Sequence, residues 1–306
     1  MISVVIPAFN EEKNIKVLYS RLLPVLSKID ANYEVIIVDD GSRDATENVV
    51  KELHQSDAKV KLIRFSRNFG HQVALTAGLD YARGDAVIVM DADLQHPPEL
   101  LPALVAHWRN GYEIVYTVRE NTLDAGAFKK LTAKFFYKFF RLASDLEISD
   151  NVADFRLFDK KVVQAFRSLR ERTRFLRGLT SWMGFRTKGI SYQAASRHAG
   201  QTKYNLRKMC SFAFDGIISF SAKPLQWAIY LGLIVSFLGF LFGLYAIYVR
   251  FFTTEAVSGW TSLVIVITFL GGIQIFLLGV IGVYLGKTYE ETKQRPLYLI
   301  SEVVGL

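Results

Sequence analysis

An open, parallel, doubly wound α/β sheet followed by two membrane-crossing helices is the fold class this sequence predicts. Three observations carry it. Short β-branched runs alternate with amphipathic stretches through the first 120 residues, the pattern of repeated βαβ units. Two later runs, 225–249 and 256–286, contain no Asp, Glu, Lys or Arg, and about 20 apolar residues suffice for a helix to cross a bilayer. Acidic residues gather where the strands end, which is where open sheets of this kind bind ligands.

Residues 2–6 form the first strand, and Asn10 is expected to cap a helix with Ile15, Leu18, Leu22 and Leu26 along one side. Residues 33–38 make a second strand that runs into Asp39-Asp40-Gly41-Ser42, and the next helix carries Val49, Val50 and Leu53. A third strand spans 60–65 and a third helix 70–82. Arg83-Gly84-Asp85 then turns into a strand ending at Asp91, residues 98–108 are helical, and 113–118 are strand again. Asp91 and Asp93 should leave the same face of the chain, with Gln95 close behind. Two carboxylates held that closely suit a hard divalent cation, Mg²⁺ or Mn²⁺, shared with phosphate oxygens. A solvated acidic turn is the plainer reading of the pair alone; its place at a strand's carboxyl end favours the metal.

Of 306 residues, 51% are apolar and 13% aromatic, too many for an ordinary soluble protein. The two charge-free runs have Trp227, Trp260 and Tyr284 near their ends. They read as spans, the alternative being a pair of buried core helices. Residues 126–141 set Phe128, Leu131, Phe135, Phe136 and Phe139 at helical spacing, with Lys129, Lys130, Lys134, Lys138 and Arg141 between them and no acid. Such a helix lies in a membrane interface or packs as an ordinary amphipathic helix on the sheet. Residues 205–221 are a second interfacial candidate.

Residues 2–6 have no basic flank and do not read as a signal peptide, so the first 220 residues are expected to stay unexported. Cys210 is the single cysteine, which leaves no intramolecular disulfide. Lys203, Arg207, Lys208 and Lys223 precede the spans and Lys287, Lys293 and Arg295 follow them, against one basic residue in the loop 250–261. By the positive-inside rule both termini are cytoplasmic, in a two-span protein of the cell membrane. A net charge of +8 suits a protein handling phosphates beside an anionic membrane surface. No nucleic-acid partner is expected. The expected division is a cytoplasmic α/β domain over 1–204, a juxtamembrane amphipathic helix over 205–223, two spans over 224–287 and a cytoplasmic tail over 288–306.

Two patterns mislead. Gly282 to Thr288 imitates a phosphate loop, but its spacing is one residue short and it ends a span. No Gly-x-Gly-x-x-Gly follows a strand, which argues against a dinucleotide cofactor. The pairs Gly239/Gly243 and Gly282/Gly286 read as close helix contacts, within the chain or between copies of a homo-oligomer.

Several separated motifs together resemble one family. They are Val5-Ile6-Pro7-Ala8-Phe9-Asn10-Glu11-Glu12, Val38-Asp39-Asp40-Gly41-Ser42, Asn68-Phe69-Gly70 and Asp91-Ala92-Asp93-Leu94-Gln95-His96-Pro97-Pro98-Glu99. Asp154-Phe155-Arg156-Leu157 and Arg197-His198-Ala199-Gly200-Gln201-Thr202-Lys203-Tyr204 follow, then the two spans. In this the chain resembles family 2 glycosyltransferases with a GT-A fold. The resemblance is to the polyprenyl-phosphate branch, which contains dolichol-phosphate mannose synthase and the GtrB-type bactoprenol glucosyltransferases. It covers essentially the whole chain. Thr202 stands where the family more often has Ser, with the hydroxyl retained.

The resemblance implies residue roles. Pro7, Asn10, Glu11, Asp39 and Asp91 are nucleotide-binding, with Glu11 reaching a ribose hydroxyl and Asp39 accepting from the base. Asp91, Asp93 and Gln95 hold Mg²⁺ or Mn²⁺ and, through it, the diphosphate. Arg119, Arg156, Arg197 and Lys203 take the acceptor's phosphate, although Arg119 also reads as a plain surface arginine. Asp93, Asp154 and Arg119 are the implied catalytic residues. A phosphate monoester is already anionic near neutral pH, so Asp154 need not abstract a proton. It can instead orient Arg156, position acceptor and metal, or pair with Arg156 for structure.

The implied activity is inverting transfer of a hexose from a nucleotide sugar to polyprenyl phosphate at the cytoplasmic membrane face. UDP-glucose is the first choice of donor and GDP-mannose the second. A processive polysaccharide synthase would carry more spans and a Gln-x-x-Arg-Trp motif, neither of which is present. A membrane scaffold with a degenerate site is the reading from another class, and the intact Asp39, Asp91 and Asp93 count against it.

Overall fold

The computed structural model describes residues 1–119, 152–193, 218, 221–252 and 259–306. They fall into two compact units, residues 1–119, 152–193 and 295–306 in the first and 218–294 in the second. The expected interfacial helices at 126–141 and 205–221, and Arg197 and Lys203, lie outside the described residues.

The first unit begins as the alternation demands: β1 (Ile2–Ala8), α1 (Glu12–Ile29), β2 (Tyr33–Asp39), α2 (Thr46–Ser56), β3 (Val60–Phe65), α3 (His71–Tyr81) and β4 (Ala86–Val89). It continues with α4 (Leu101–Arg109), β5 (Ile114–Arg119), β6 (Val152–Asp159), α5 (Lys160–Ser168), α6 (Leu176–Trp182), β7 (Thr187–Tyr192) and, near the C-terminus, β8 (Ile300–Val304). The sheet order is β7-β5-β6-β4-β1-β2-β3-β8. All seven residues of β1 and of β2 are buried, because parallel strands covered by helices on both faces read as unbroken apolar runs. Helix α3 crosses β1 closely. A Cβ at Gly78 would run into the Val5 side chain, so only glycine permits that approach.

The sheet is mostly parallel but mixed, since β6 runs antiparallel to both β4 and β5, and β8 antiparallel to β3. Apolar patterning marks where a strand lies. Its direction depends on where the chain re-enters the sheet, which no local pattern records. Within the expected tail at 288–306, β8 forms a sheet edge. Lys51 Nζ lies 2.7 Å from Glu302. Tyr298 stacks on Phe65 with ring centroids 5.1 Å apart, and its hydroxyl donates to Asp80 at 2.8 Å.

Asn10 does not cap α1. The N-cap is Glu11, and Asn10 sits at φ 58°, a left-handed conformation that Asn tolerates. Its Oδ1 accepts the Arg43 N–H at 2.9 Å, and its own N–H donates to Ser42 Oγ at 2.9 Å. Asn10 therefore ties β1's exit to the turn after β2.

The second unit contains α7 (Lys223–Phe252) and α8 (Trp260–Thr292). Within them Lys223–Val249 and Ser262–Thr292, of mean hydropathy 2.1 and 2.6, are long and apolar enough to cross a membrane. Their apolar side chains, such as Leu233, Phe240 and Phe269, are exposed, which sets aside the buried-core alternative. Lys287 and Thr288 lie inside α8, with Thr288 Oγ1 bonded back to the Tyr284 carbonyl at 3.1 Å, so no phosphate loop exists there. A Cβ placed on Gly239, Gly243, Gly282 or Gly286 meets nothing within 4 Å. Among the described residues these glycines mediate no close contact.

Candidate active site

A cavity of about 300 Å³ opens beyond the carboxyl ends of β1, β2 and β4, and Pro7, Glu11, Asp40, His71, Asp91 and Asp93 help to line it. Each comes from a strand exit. Pro7 is the penultimate residue of β1, and Glu11 follows it in the turn into α1. Asp40 follows β2 and accepts the N–H groups of Phe69 and Gly70 at 2.6 and 2.9 Å, which draws the loop after β3 against β2. Gly70 caps α3 at φ 104°, a conformation that favours glycine, and delivers His71 to the cavity.

Asp91 and Asp93 share the cavity, though not by strand alternation. β4 stops at Val89 and the chain turns, with Leu94 at φ 65°. Gln95 N–H donates to Asp93 Oδ1 at 3.1 Å. Asp91 N–H donates to His96 Nδ1 at 3.0 Å. His96 is completely buried and lies nearly parallel to Phe155, centroids 5.1 Å apart. Burial pushes the imidazole's pKa down, so the ring is neutral. With Nδ1 accepting, its proton sits on Nε2.

Asp91 Oδ1 is buried without a hydrogen-bond partner, 3.4 Å from His71 Nε2. Among the described residues no cluster of three or more His, Cys, Asp or Glu is placed to hold an ion. Two carboxylates that line one cavity, one of them with a buried oxygen lacking a hydrogen-bond partner, nonetheless fit Mg²⁺ or Mn²⁺. Such ions keep several waters and bind through one or two carboxylates plus substrate phosphates. Gln95 stands apart: its Oε1 accepts from Arg119 Nη2 at 3.3 Å. Arg119, the last residue of β5, also donates through Nε to the Tyr192 hydroxyl at 3.0 Å. The structure thus pairs Gln95 with Arg119 and does not bring it to the cavity wall.

Asp39 is completely buried behind the wall, and Asp40, itself only 3% exposed, is the one of the pair that lines it. Asp39 Oδ1 accepts the Ser42 N–H at 2.9 Å. Its Oδ2 has no hydrogen-bond partner and lies 3.6 Å from Arg64 Nε. Burial pushes the Asp39 carboxyl up, against the pull of Ser42 and Arg64.

Asp154 takes its hydrogen bonds from Arg177, with Arg156 as a longer ion-pair partner. Arg177 donates to its two oxygens, Nε at 2.8 Å and Nη2 at 3.1 Å. Arg156 Nη2 and His71 Nε2 each stand 4.0 Å away. Burial alone would raise this carboxyl. The charge and hydrogen bonds of Arg177, with Arg156 behind, outweigh it and hold Asp154 well below the usual carboxylate range. Arg156 itself is buried, with Nε on the Ala153 carbonyl at 3.1 Å and Nη1 on Thr180 Oγ1 at 2.8 Å. Burial pushes it down to about 10. Arg156 is thus enclosed and spends these donors within the protein.

Sequence patterns did not point to His71, Asp40's place on the wall, or Arg177. His71 directly follows the Asn68-Phe69-Gly70 motif, a signal that was present. Arg177 lies in an arginine-rich stretch from Arg170 onward with no motif to single it out.

The mixed, mostly parallel sheet with carboxylates at its strand exits is the arrangement that the GT-A resemblance implies. The model of the family named Glycosyl transferase family 2 matches residues 3–167. An uncharacterized glycosyltransferase of Synechocystis, sll0501, is 47% identical over 305 residues, covering 100% of this chain and 96% of that protein. The prophage bactoprenol glucosyl transferase homolog of Escherichia coli K12 is 42% identical over 302 residues, 99% of both chains. The bactoprenol glucosyl transferase of Shigella phage SfV is 42% identical over 300 residues, 98% of both. The family match takes in every cavity carboxylate from Glu11 through Asp93, with Asp154 as well, and the relatives extend through α7 and α8: the chain belongs to glycosyl transferase family 2.

Proposed function

We propose that the protein transfers glucose, with inversion, from UDP-glucose to polyprenyl phosphate at the cytoplasmic face of the cell membrane. The observation that carries this reading is the cavity where Asp91 and Asp93 face Pro7 and Glu11, in a chain that also holds two long apolar helices. The full-length relatives named bactoprenol glucosyl transferase support the sugar and the acceptor class.

Asp91 and Asp93 would hold Mg²⁺ or Mn²⁺ beside the donor diphosphate, where a cation stabilises the charge that develops on the departing nucleoside diphosphate. Pro7 and Glu11 border the nucleoside, with Glu11 at the ribose. Asp39 Oδ2, the acceptor without a partner, serves a base N–H. Arg119, braced by Tyr192 and Gln95, would take a phosphate oxygen, and Arg197 and Lys203 would serve the lipid phosphate.

An oxygen of the acceptor phosphate attacks the anomeric carbon while the bond to the diphosphate breaks on the opposite side, which inverts that carbon. The attacking oxygen is already anionic, so no general base is required. Asp154, kept ionised by Arg177, acts by aiming cations. The membrane supplies proximity by holding the lipid headgroup at a fixed level. The positive-inside count supports cytoplasmic termini, and the glycine rows of α7 and α8, which meet nothing within 4 Å among the described residues, support association between copies.

The test is reconstitution in liposomes containing undecaprenyl phosphate, with a panel of labelled nucleotide sugars. Lipid-linked glucose from UDP-glucose is the expected product. Labelling from GDP-mannose alone would move the donor to the mannose-type alternative, and no labelling from any donor would overturn the reading.

A further inference from the structure

His71 reaches the cavity between two carboxylates. From the first turn of α3 its Nε2 lies 3.4 Å from Asp91 Oδ1 and 4.0 Å from Asp154 Oδ2. It lines the cavity with 44% of its side chain exposed, so a ligand there can touch it. Two carboxylate oxygens on that side call for a proton on Nε2, and the nitrogen then offers a donor, not a lone pair for a cation.

The strand order lays out what meets that donor. Pro7 and Glu11 stand at the exit of β1, Asp91 follows β4, and β6 lies beside β4 with opposite direction. Val89 and Arg156 are the last pair of that ladder, so Asp91 and Asp154, each two residues beyond it, emerge at the same end of the sheet. A donor with its nucleoside at β1 and its diphosphate at Asp91 therefore directs its sugar toward β6. His71 stands in that direction. Its distance from Asp154 is too long for a direct hydrogen bond yet short enough for one oxygen to bridge. A hydroxyl placed there accepts from Nε2 and donates to Asp154, which Arg177 keeps ionised. A phosphate oxygen in the same place would meet that carboxylate as a like charge.

We propose that His71 binds the hexose being transferred, donating its Nε2–H to one of the sugar's hydroxyls. This rests on the reading of the donor as UDP-glucose. It makes His71 a residue that tells the sugar nucleotide from the bare nucleotide, while Asp91 and Asp93 serve the diphosphate common to both.

The test uses the full-length protein in nanodiscs with Mn²⁺ and no acceptor, titrated by calorimetry with UDP-glucose, with UDP and with the 2-, 3-, 4- and 6-deoxy analogues of UDP-glucose. His71→Ala should weaken UDP-glucose binding at least about fivefold, as expected for losing one hydrogen bond, with UDP affinity within about twofold. His71→Gln retains an N–H and should recover part of the loss. One deoxy analogue should bind wild type weakly and lose nothing further in His71→Ala, which identifies the hydroxyl. Unchanged UDP-glucose affinity in His71→Ala overturns the proposal. So does UDP affinity falling in step, the result of a diphosphate contact or a disturbed α3, and so does an equal loss with every deoxy analogue. If His71→Ala fails to fold, His71→Phe, which keeps a ring without the N–H, decides by the same titrations. A wild type that binds and transfers no glucose from UDP-glucose would remove the functional reading and this inference together. Wild-type glucose transfer with UDP-glucose binding unaltered in His71→Ala would remove this inference alone.

Discussion

The buried imidazole of His96 accepts the backbone N–H of Asp91 at 3.0 Å, which fastens the acidic turn to the interior. The turn has no helix or strand of its own to hold it, so this bond and the ring's packing on Phe155 set where Asp91 points. His96→Ala removes a fully buried ring and orphans that N–H. The expected cost is about 3 kcal/mol, read as a lowered melting temperature in detergent together with reduced transfer. A variant that melts like wild type would show that the turn is held by other means.

Asp93→Asn should lower transfer at least about 100-fold, the scale seen when an electrostatic stabiliser of a leaving group is lost. EDTA should abolish wild-type transfer and added Mn²⁺ should restore it. Transfer indifferent to EDTA would remove the metal from the site.

Asp39→Asn separates stability from binding. The folded protein holds the Asp39 proton more tightly than the unfolded chain does, chiefly through burial. That group's favourable contribution is therefore present below the ordinary Asp pKa of about 3.9 and is lost as pH rises through the raised folded value. At neutral pH the ionised carboxylate costs stability, and the Asn variant should melt higher than wild type. The difference should shrink as the buffer is taken toward pH 4. Nucleotide affinity should drop about 10-fold or more if Oδ2 serves the base. Calorimetry showing unaltered UDP binding would confine Asp39 to the Ser42 turn.

Glu34 behaves in the opposite sense. It is 2% exposed, 2.6 Å from Lys61 Nζ, and accepts the Arg83 N–H at 2.7 Å. Burial opposes its ionisation, but Lys61, Ser3 and Arg83 together keep its carboxyl below the ordinary value. Its contribution is present above the ordinary Glu pKa and is lost as pH falls through the lowered folded one. Glu34→Gln, which leaves Lys61 half-enclosed without its partner, should cost about 3 kcal/mol at neutral pH. Melting curves should converge with wild type in acid, and equal stability at pH 7 would show that Lys61 finds water instead.

Legibility differed residue by residue. β1 and β2 were visible as unbroken apolar runs because both of their faces are buried. α7 and α8 were visible because their charge-free length exceeds what any soluble helix needs. The directions of β6 and β8 were not, since pairing with β4, β5 and β3 is a long-range choice. At the site, Asp91 and Asp93 were legible by position, while nothing local separated Asp39, enclosed behind the wall, from Asp40, which lines it, because one residue of offset at a strand end decides which side chain faces the cavity. Asn10 read as a helix cap, and only the fold shows it as the clasp on Arg43.

The chain's local chemistry by itself determined the alternating sheet, the two apolar helices and the carboxylates at the strand exits, because periodicity and residue type act over short spans of sequence. Only the tertiary structure decided that Arg177, and not the neighbouring Arg156, grips Asp154, that His96 anchors Asp91, and that the C-terminal residues complete the sheet. Which cation meets which carboxylate depends on packing between segments far apart in the chain, and burial then decides which of them still reaches solvent.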